Sequence, residues 1–416
     1  MLGALASAFR IPDLRKKIFY TALLLAVFRI GSFIPVPGVN VARLIETYGE
    51  TGLFQFLDLF SGGALRRFTV FAMGVNPYIT ASIILQLLTI VIPSLEELSK
   101  EGIEGRRKIA QWTRYGTVVL GVIQALGITM GIRGAVEDPG VLPVFLIVTT
   151  LTAGTAFLMW LGEKISEHGI GNGISLIIFT GIIARLPAGV HTTAISIGRG
   201  GISPLNVVLF LVLGLASIVG VIWITLGARR IPVQYAKRVV GRRVYGGQTT
   251  HIPLRVNQAG VIPVIFASSL LTFPLTIAQF VPRLGFLMDW LRGDSVSYMI
   301  LYAVLVVAFT YFYTAITFNV TEVANNMKKY GGFIPGLRPG RPTAEYLDRV
   351  LTRITLVGGL FLAVVAVLPN IMTSLTRLST IYFGGTALLI VVGVALDTMK
   401  QIEANLLMRQ YEGFMK

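Results

Sequence analysis

Few groups in this sequence could make or break a bond. Cysteine is absent, which removes thiolate nucleophiles, disulfides and thiolate metal sites. The three histidines, His168, His191 and His251, are expected in loops and stand at no metal-ligand spacing. The long apolar segments contain no Asp, Glu or Lys. An intramembrane hydrolase needs a nucleophile beside a base. A proton- or sodium-coupled transporter usually keeps an ionisable carboxylate near the midplane. The apolar segments meet neither requirement. Guanidinium groups are the remaining candidates for polar chemistry. Arg29, Arg185 and Arg353 stand near the ends of apolar segments, where snorkelling would keep them hydrated. Arg66 and Arg67 are the anomaly, because they interrupt the apolar run "DLFSGGALRRFTVFAMGVNPY" at 58–78. A helix crossing lipid should not carry them in its middle.

The elements that would position these residues are membrane helices. Of 416 residues, 54% are hydrophobic and 13% charged, where a soluble domain carries about 25% charged. Apolar runs predict ten spans, at 18–36, 74–93, 115–132, 142–161, 174–186, 205–226, 259–281, 298–318, 350–369 and 381–396. The segments of alternating polarity that mark a membrane β-barrel are absent. The first span follows the basic "RIPDLRKK" but no small-residue cleavage site ends it, so it is expected to remain in the protein.

Charge sorts the connecting segments. The formal net charge is +16, and most Lys and Arg fall at the two termini and in the even-numbered loops. The positive-inside rule then places both termini in the cytoplasm. The loop 227–258 carries seven Lys or Arg and no acid, and 319–349 contains "GGFIPGLRPGRPTAEYLDR". Alternating apolar and basic residues with Gly-Gly and Pro breaks suggest a protruding hairpin. Such loops could meet an acidic protein or nucleic-acid phosphate.

The chain divides into five spans and five. The polar, Gly-containing link 187–204 separates 1–186 from 205–416. Each half carries a Gly/Pro break at its second span, "GVNP" in one and "AGVIP" in the other. Breaks at corresponding positions are the signature of an inverted repeat with a site at its interface. Branched residues recur one turn apart as Val75, Ile79 and Ile83, and again as Ile174 and Ile178, each set on one helix stripe. By periodicity alone these stripes pack helices or touch lipid.

Longer motifs add a resemblance. "FRIGSFIPVPG", "FSGGALRR", "PYITASIILQLL", "EGRRKIAQWTRYGT", "FLMWLGEKISEHGIGNGISLIIF", "RRVYGGQTTHIPLRVNQAGVIPVIFASS", "FIPGLRPGRPTAEYLDRV" and "YFGGTALLIVV" occur in order from about residue 10 to 412. Together they resemble the SecY family of protein-conducting channels in its bacterial form. The fold this implies is all-α, with ten transmembrane helices in two pseudo-symmetric five-helix halves around an hourglass pore. The halves would hinge at 187–204 and open sideways between spans two/three and seven/eight.

The resemblance also implies roles. Residues 59–73 would form a short plug half-helix entering from the external side, with Phe60, Ser61, Gly62, Gly63, Leu65, Arg66, Arg67, Phe68 and Phe71. In a water-filled funnel Arg66 and Arg67 would stay hydrated. Val75, Ile79, Ile174, Ile178, Ile265 and Ile390 would form an apolar pore ring that dewets when narrow. Ser82, Gln86, Gln124, Ser268 and Ser269 would lie along the lateral gate and bond across its closed seam. Arg242, Arg243, Arg338 and Arg341 would dock the SecA motor ATPase or the ribosome, through rRNA phosphates and ribosomal proteins. Small SecE-like and SecG-like membrane subunits, signal sequences, nascent polypeptides and the bilayer are the other implied partners. No cofactor is implied, and no Gly-rich phosphate loop occurs in the chain. The expected location is the bacterial plasma membrane. A small-solute secondary transporter is the alternative, and the missing midplane carboxylates argue against it.

Overall fold

The computed structural model describes the chain except residues 1–8, 10, 49–57, 59–60, 138–139, 200–202, 236–237, 241–242, 246–248, 279–294, 377–384 and 415–416. Over its described residues, each of the ten apolar segments lies largely on a helix. These are α1 (Pro12–Gly31), α3 (Asn76–Val91), α5 (Ile103–Gly131), α6 (Val141–His168), α7 (Gly173–Gly198), α8 (Pro204–Leu226), α9 (Ile262–Ala278), α10 (Val296–Thr317), α12 (Arg341–Thr376) and α13 (Gly385–Phe414). Three shorter helices connect them: α2 (Val41–Tyr48), α4 (Pro93–Lys100) and α11 (Val320–Lys329). Among the described residues, five stretches are long and apolar enough to cross a bilayer by themselves, within Val141–His168, Gly173–Gly198, Pro204–Leu226, Val296–Lys329 and Arg341–Met372. α3 and α4 make a sixth only if they count as one span, and they meet at a bend of 102°. Pro93 explains the bend, since it starts α4 while lacking the N–H that would continue α3.

Helix ends depart from the hydropathy reading where polar residues continue a helix beyond the apolar run. α5 begins at Ile103 and α12 at Arg341, each about two or three turns before its predicted span. α7 runs through Pro187 to Gly198, so most of the expected link 187–204 is helical. One missing N–H and a local adjustment are tolerable in such a helix. The histidines lie outside loops: His168 closes α6, His191 sits within α7 and His251 on a strand.

The basic loop 227–258 is a hairpin, as its alternation suggests. Strand β1 (Ala228–Tyr235) pairs antiparallel with β4 (Thr249–Arg255), and the short β2 (Arg238–Val240) and β3 (Arg243–Tyr245) pair further out. The second basic loop joins the same body, because β5 (Gly332–Phe333) pairs with the end of β1. Ile231, Val233 and Leu254 of the hairpin pack with Met327, Ile334, Leu347 and Leu351 in a core of their own. The period-two burial of β1 places Ile231 and Val233 inside and basic residues outside.

The main core brings together residues of α3, α6, α7, α9, α10, α12 and α13. Large apolar side chains remain exposed on the outward faces, among them Leu211, Leu215 and Trp223 of α8. On a chain this apolar, such a surface is suited to lipid.

Candidate functional site

The residues expected to line a constriction converge. Val75, Ile79, Ile178, Ile265 and Ile390 are 2%, 6%, 1%, 6% and 0% exposed and belong to one cluster, with Ile174 packed against it. They come from the start of α3, from α7, α9 and α13, so residues before and after 187–204 both contribute. On one side a cavity of about 830 Å³ opens onto them, lined by Ile79, Ile174, Ile178 and Ile265. Its wall carries Tyr78, Arg114, Glu163, Lys164 and Glu167. Arg114 Nε lies 2.8 Å from Glu163 Oε1, tying α5 to α6 at the cavity rim.

Two local structures place Ile79 and Ile265 alike. Gly74 and Gly260 both adopt positive φ, +58° and +65°, where glycine meets no Cβ penalty. A proline follows three residues later, Pro77 and Pro263, at the start of α3 and α9. The next apolar turn delivers Ile79 and Ile265, whose N–H groups donate to Val75 O and Val261 O. The sequences "GVNPYI" and "GVIPVI" thus repeat one device in the two halves.

The segment carrying Arg66 and Arg67 is not a regular half-helix. From Gly62 to Val75 it runs in tight turns, with Phe68 N–H on Leu65 O, Ala72 N–H on Thr69 O and Gly74 N–H on Phe71 O. Positive φ at Gly62, Gly63, Phe68 and Gly74 breaks the helical path. Val36 N–H donates to Phe68 O and Val70 N–H to Ile34 O, a short antiparallel bridge to the chain after α1. Leu65, Phe68, Phe71 and Ser61 are buried, and Ala64 and Phe71 join the cluster that holds Val75 and Ile79. Phe71 stacks on Phe28 and Phe157, with ring centroids 6.1 and 5.9 Å apart. Arg66 and Arg67 are exposed, so neither is buried in the protein. The Arg67 guanidinium lies 4.3 Å from the centre of the Phe33 ring. Phe60 lies outside the described residues.

Snorkelling does not describe Arg29 or Arg185. Arg29 Nη1 donates to Gly62 O at 3.2 Å, and Arg185 Nη1 lies 3.0 Å from Asp58 Oδ2. Asp58 is buried, which pushes its carboxyl above the usual range, while Arg185 and the Arg66 N–H pull the other way. The sequence reading passed over Asp58 because it lies outside every span. Its position at the head of the run that holds Arg66 was the available signal.

The residues expected at the lateral seam are only partly brought together. α9 packs against α3 and α5, and the cavity wall holds Ser82 and Gln86 beside Ile262 and Phe266. Gln86 Nε2 donates to Ser82 Oγ at 3.3 Å within α3, so this pair does not bridge the seam. Ser268 Oγ donates to Ile265 O of its own helix. Gln124 and Ser269 are half-buried and lie away from the cavity wall.

The comparisons decide the family. The SecY family model matches residues 69–399. The chain belongs to the SecY family. Relatives called "Protein translocase subunit SecY" from Halalkalibacterium halodurans and Thermotoga maritima are 52% and 47% identical, covering 100% of this chain and 100% and 98% of theirs. Among solved structures, "The structure of a protein conducting channel" matches with a TM-score of 0.68 at 20% identity, over 93% of this chain and 91% of that one. "Sec61 in the Canine ribosome-channel complex from the endoplasmic reticulum" matches at 0.64 and 19% identity, with the same coverage. At that identity the likeness establishes the fold.

The arginines expected to dock partners of this SecY chain differ in availability. Arg338 is exposed in the turn between β5 and α12, and its carbonyl accepts the Thr343 hydroxyl at 2.8 Å. Arg341 is equally exposed but already pairs with Glu345 at 3.0 Å, one turn along α12. Arg243 lies on β3, and Arg242 falls outside the described residues. Among the described residues no group of His, Asp and Glu could hold a metal ion.

Proposed function

We infer that the chain is the channel subunit of a protein translocase, with an apolar ring between its two halves as the conducting path. It is a channel and not an enzyme. The observation that carries the path is the convergence of five buried branched side chains from α3, α7, α9 and α13 in one cluster, three of which, Ile79, Ile178 and Ile265, line an 830 Å³ cavity. Small displacements of the helices would part these side chains around an extended polypeptide. No charge stands among them to hold an ion or a substrate side chain. When the ring is closed it excludes water by its apolarity.

Residues 59–73 act as the plug in this proposal, and their described part, from Ser61, packs with the ring cluster through Ala64 and Phe71. The seam between α3 and α9 is the lateral exit, where an apolar signal sequence would replace helix contacts with its own. About ten buried apolar side chains at roughly 1.5–3 kcal/mol each exceed what a few interhelical polar contacts hold. Ten spans in two inverted halves, cytoplasmic termini and a plasma-membrane location complete the reading. The sheet body built from 227–258 and 319–349 is the docking platform, for a ribosome as in the solved Sec61 complex or for a SecA-type motor. SecE-like and SecG-like subunits would cover part of the exposed helix surface.

Photo-crosslinking tests the path. A photoreactive residue at Ile178 or Ile265 should form an adduct with a polypeptide arrested in transit, and one at the outward-facing Leu215 should not. Equal adducts at Leu215 and Ile178, or none at Ile178 and Ile265, would overturn it.

A further inference from the structure

We propose that the Asp58–Arg185 ion pair positions the plug segment in the closed channel, a role that rests on reading 59–73 as the plug. Several bonds meet on Asp58. Its Oδ2 takes the Arg185 guanidinium at 3.0 Å, and its Oδ1 accepts the Arg66 N–H at 2.8 Å. Its carbonyl accepts Gly63 N–H at 3.0 Å and Ser61 Oγ at 3.1 Å. Ser61 Oγ in turn accepts Leu65 N–H at 3.1 Å. One residue therefore shapes the first turn of the segment, and one guanidinium fixes that turn to α7.

The place of attachment gives the pair its role. Arg185 follows Ile178 by seven residues, two turns along the same face of α7. Gly181 lies between them and is in backbone contact with Gly62, so close that a Cβ on Gly62 would lie 2.6 Å from Gly181 Cα. The pair thus holds the segment at a fixed distance below a ring residue.

The energetics favour positioning over strength. Asp58 is 2% exposed and Arg185 31%. Burying a carboxylate is costly, and a partner offsets that cost without leaving a large surplus. Removing one partner leaves the other charge stranded, whereas removing both is often nearly neutral. The charged groups acting on Asp58 are Arg185 from α7 and Arg66 and Arg67 from its own segment. Arg29 of α1 reaches Gly62 O nearby. Without Arg185, the buried carboxyl would take up a proton more readily than when the plug is displaced and Asp58 is hydrated. The closed state then binds the proton more tightly, so acid favours closure.

Resting ion conductance of the reconstituted channel complex in planar bilayers tests this. Arg185→Gln should raise conductance at neutral pH by at least about tenfold, equivalent to about 1.4 kcal/mol. Lowering the outer pH should reseal it, because burial raises the Asp58 carboxyl and a proton there removes the stranded charge. Asp58→Asn combined with Arg185→Gln should conduct far less than Arg185→Gln alone and show no such pH response. A channel lacking 59–73 serves as the reference for an absent plug. If that deletion leaks while Arg185→Gln stays sealed, or if the double variant leaks as much as Arg185→Gln, the pair is not the positioning device and the plug reading stands. If the deletion itself does not leak, the plug reading falls and the proposal with it.

Discussion

Gly62 and Gly63 offer a graded perturbation of the proposed plug in which one atom separates two outcomes. Both have positive φ, +68° and +87°. An alanine at either position meets the left-handed penalty of about 1–2 kcal/mol. At Gly63 that is the whole cost, because a Cβ there has open space around it. At Gly62 the added Cβ would lie 2.6 Å from Gly181 Cα and 3.1 Å from its carbonyl oxygen. Those atoms are backbone in the middle of α7, so no side-chain rotation relieves the contact. Overpacking of this kind costs about 1–3 kcal/mol. Displacing the segment from α7 removes the clash, so the added cost falls on the closed state alone. Gly62→Ala should therefore leak more than Gly63→Ala by about 5–100-fold, since each 1.4 kcal/mol is a factor of ten. The assay is resting conductance per inserted channel, with a melting curve to show that the fold survives. Equal leak from the two variants, or a sealed Gly62→Ala channel, would refute the idea that contact with α7 seats this segment.

Other outcomes follow from the same geometry. Ile79→Asn and Ile265→Asn occupy matched positions after Pro77 and Pro263, so each should raise resting conductance to a similar degree; a leak confined to one of them would break the equivalence. Ile231→Ala should destabilise the sheet body by about 2–5 kcal/mol, and hydrogen exchange should then quicken in both 228–255 and 332–333, because one core serves the two loops. Arg338→Glu should weaken binding of a ribosome or motor more than Arg341→Glu, since Glu345 already neutralises Arg341; affinities measured at physiological salt would show the difference.

What could be read from the sequence was whatever depends on local pattern. Hydropathy located the ten long apolar helices, because a span requires an apolar run, but not the short α2, α4 and α11, which carry no such run. It misplaced helix ends at Ile103, Gly198 and Arg341, where polar turns or Pro187 extend a helix beyond the run. Alternation revealed the hairpin at 228–255. It did not reveal that β5 and α12 complete the hairpin's core, since Ile334 and Leu347 lie about a hundred residues from Ile231. Val75, Ile79, Ile174 and Ile178 were legible as helix stripes, whereas Ile265 and Ile390 came only from the family resemblance, and periodicity alone could not tell a stripe facing a cavity from one facing lipid. Gln86 and Ser82 show the same limit. At i and i+4 they bond to each other, and the sequence cannot say whether such a pair turns inward or across a seam.

The polar ties described for the 61–75 segment share one property. Arg29, Ile34, Val36 and Arg185 all belong to the half of the chain before residue 187. Among the described residues, the cluster that holds Ala64, Phe71 and Val75 also takes in Ile265 and Ile390 of the other half, through apolar side chains. Polar bonds are directional and break over less than an ångström, whereas apolar contact yields gradually and without preferred geometry. If the halves part as proposed, none of these polar ties has to break, so the segment would stay with α1 and α7. Parting of the halves at the seam and departure of the plug are then separable events. The first would wet the ring and admit an apolar helix sideways. The second would need the Asp58, Gly62 and Phe68 bonds to break as well, so a full aqueous path should open only after a substrate has entered the ring.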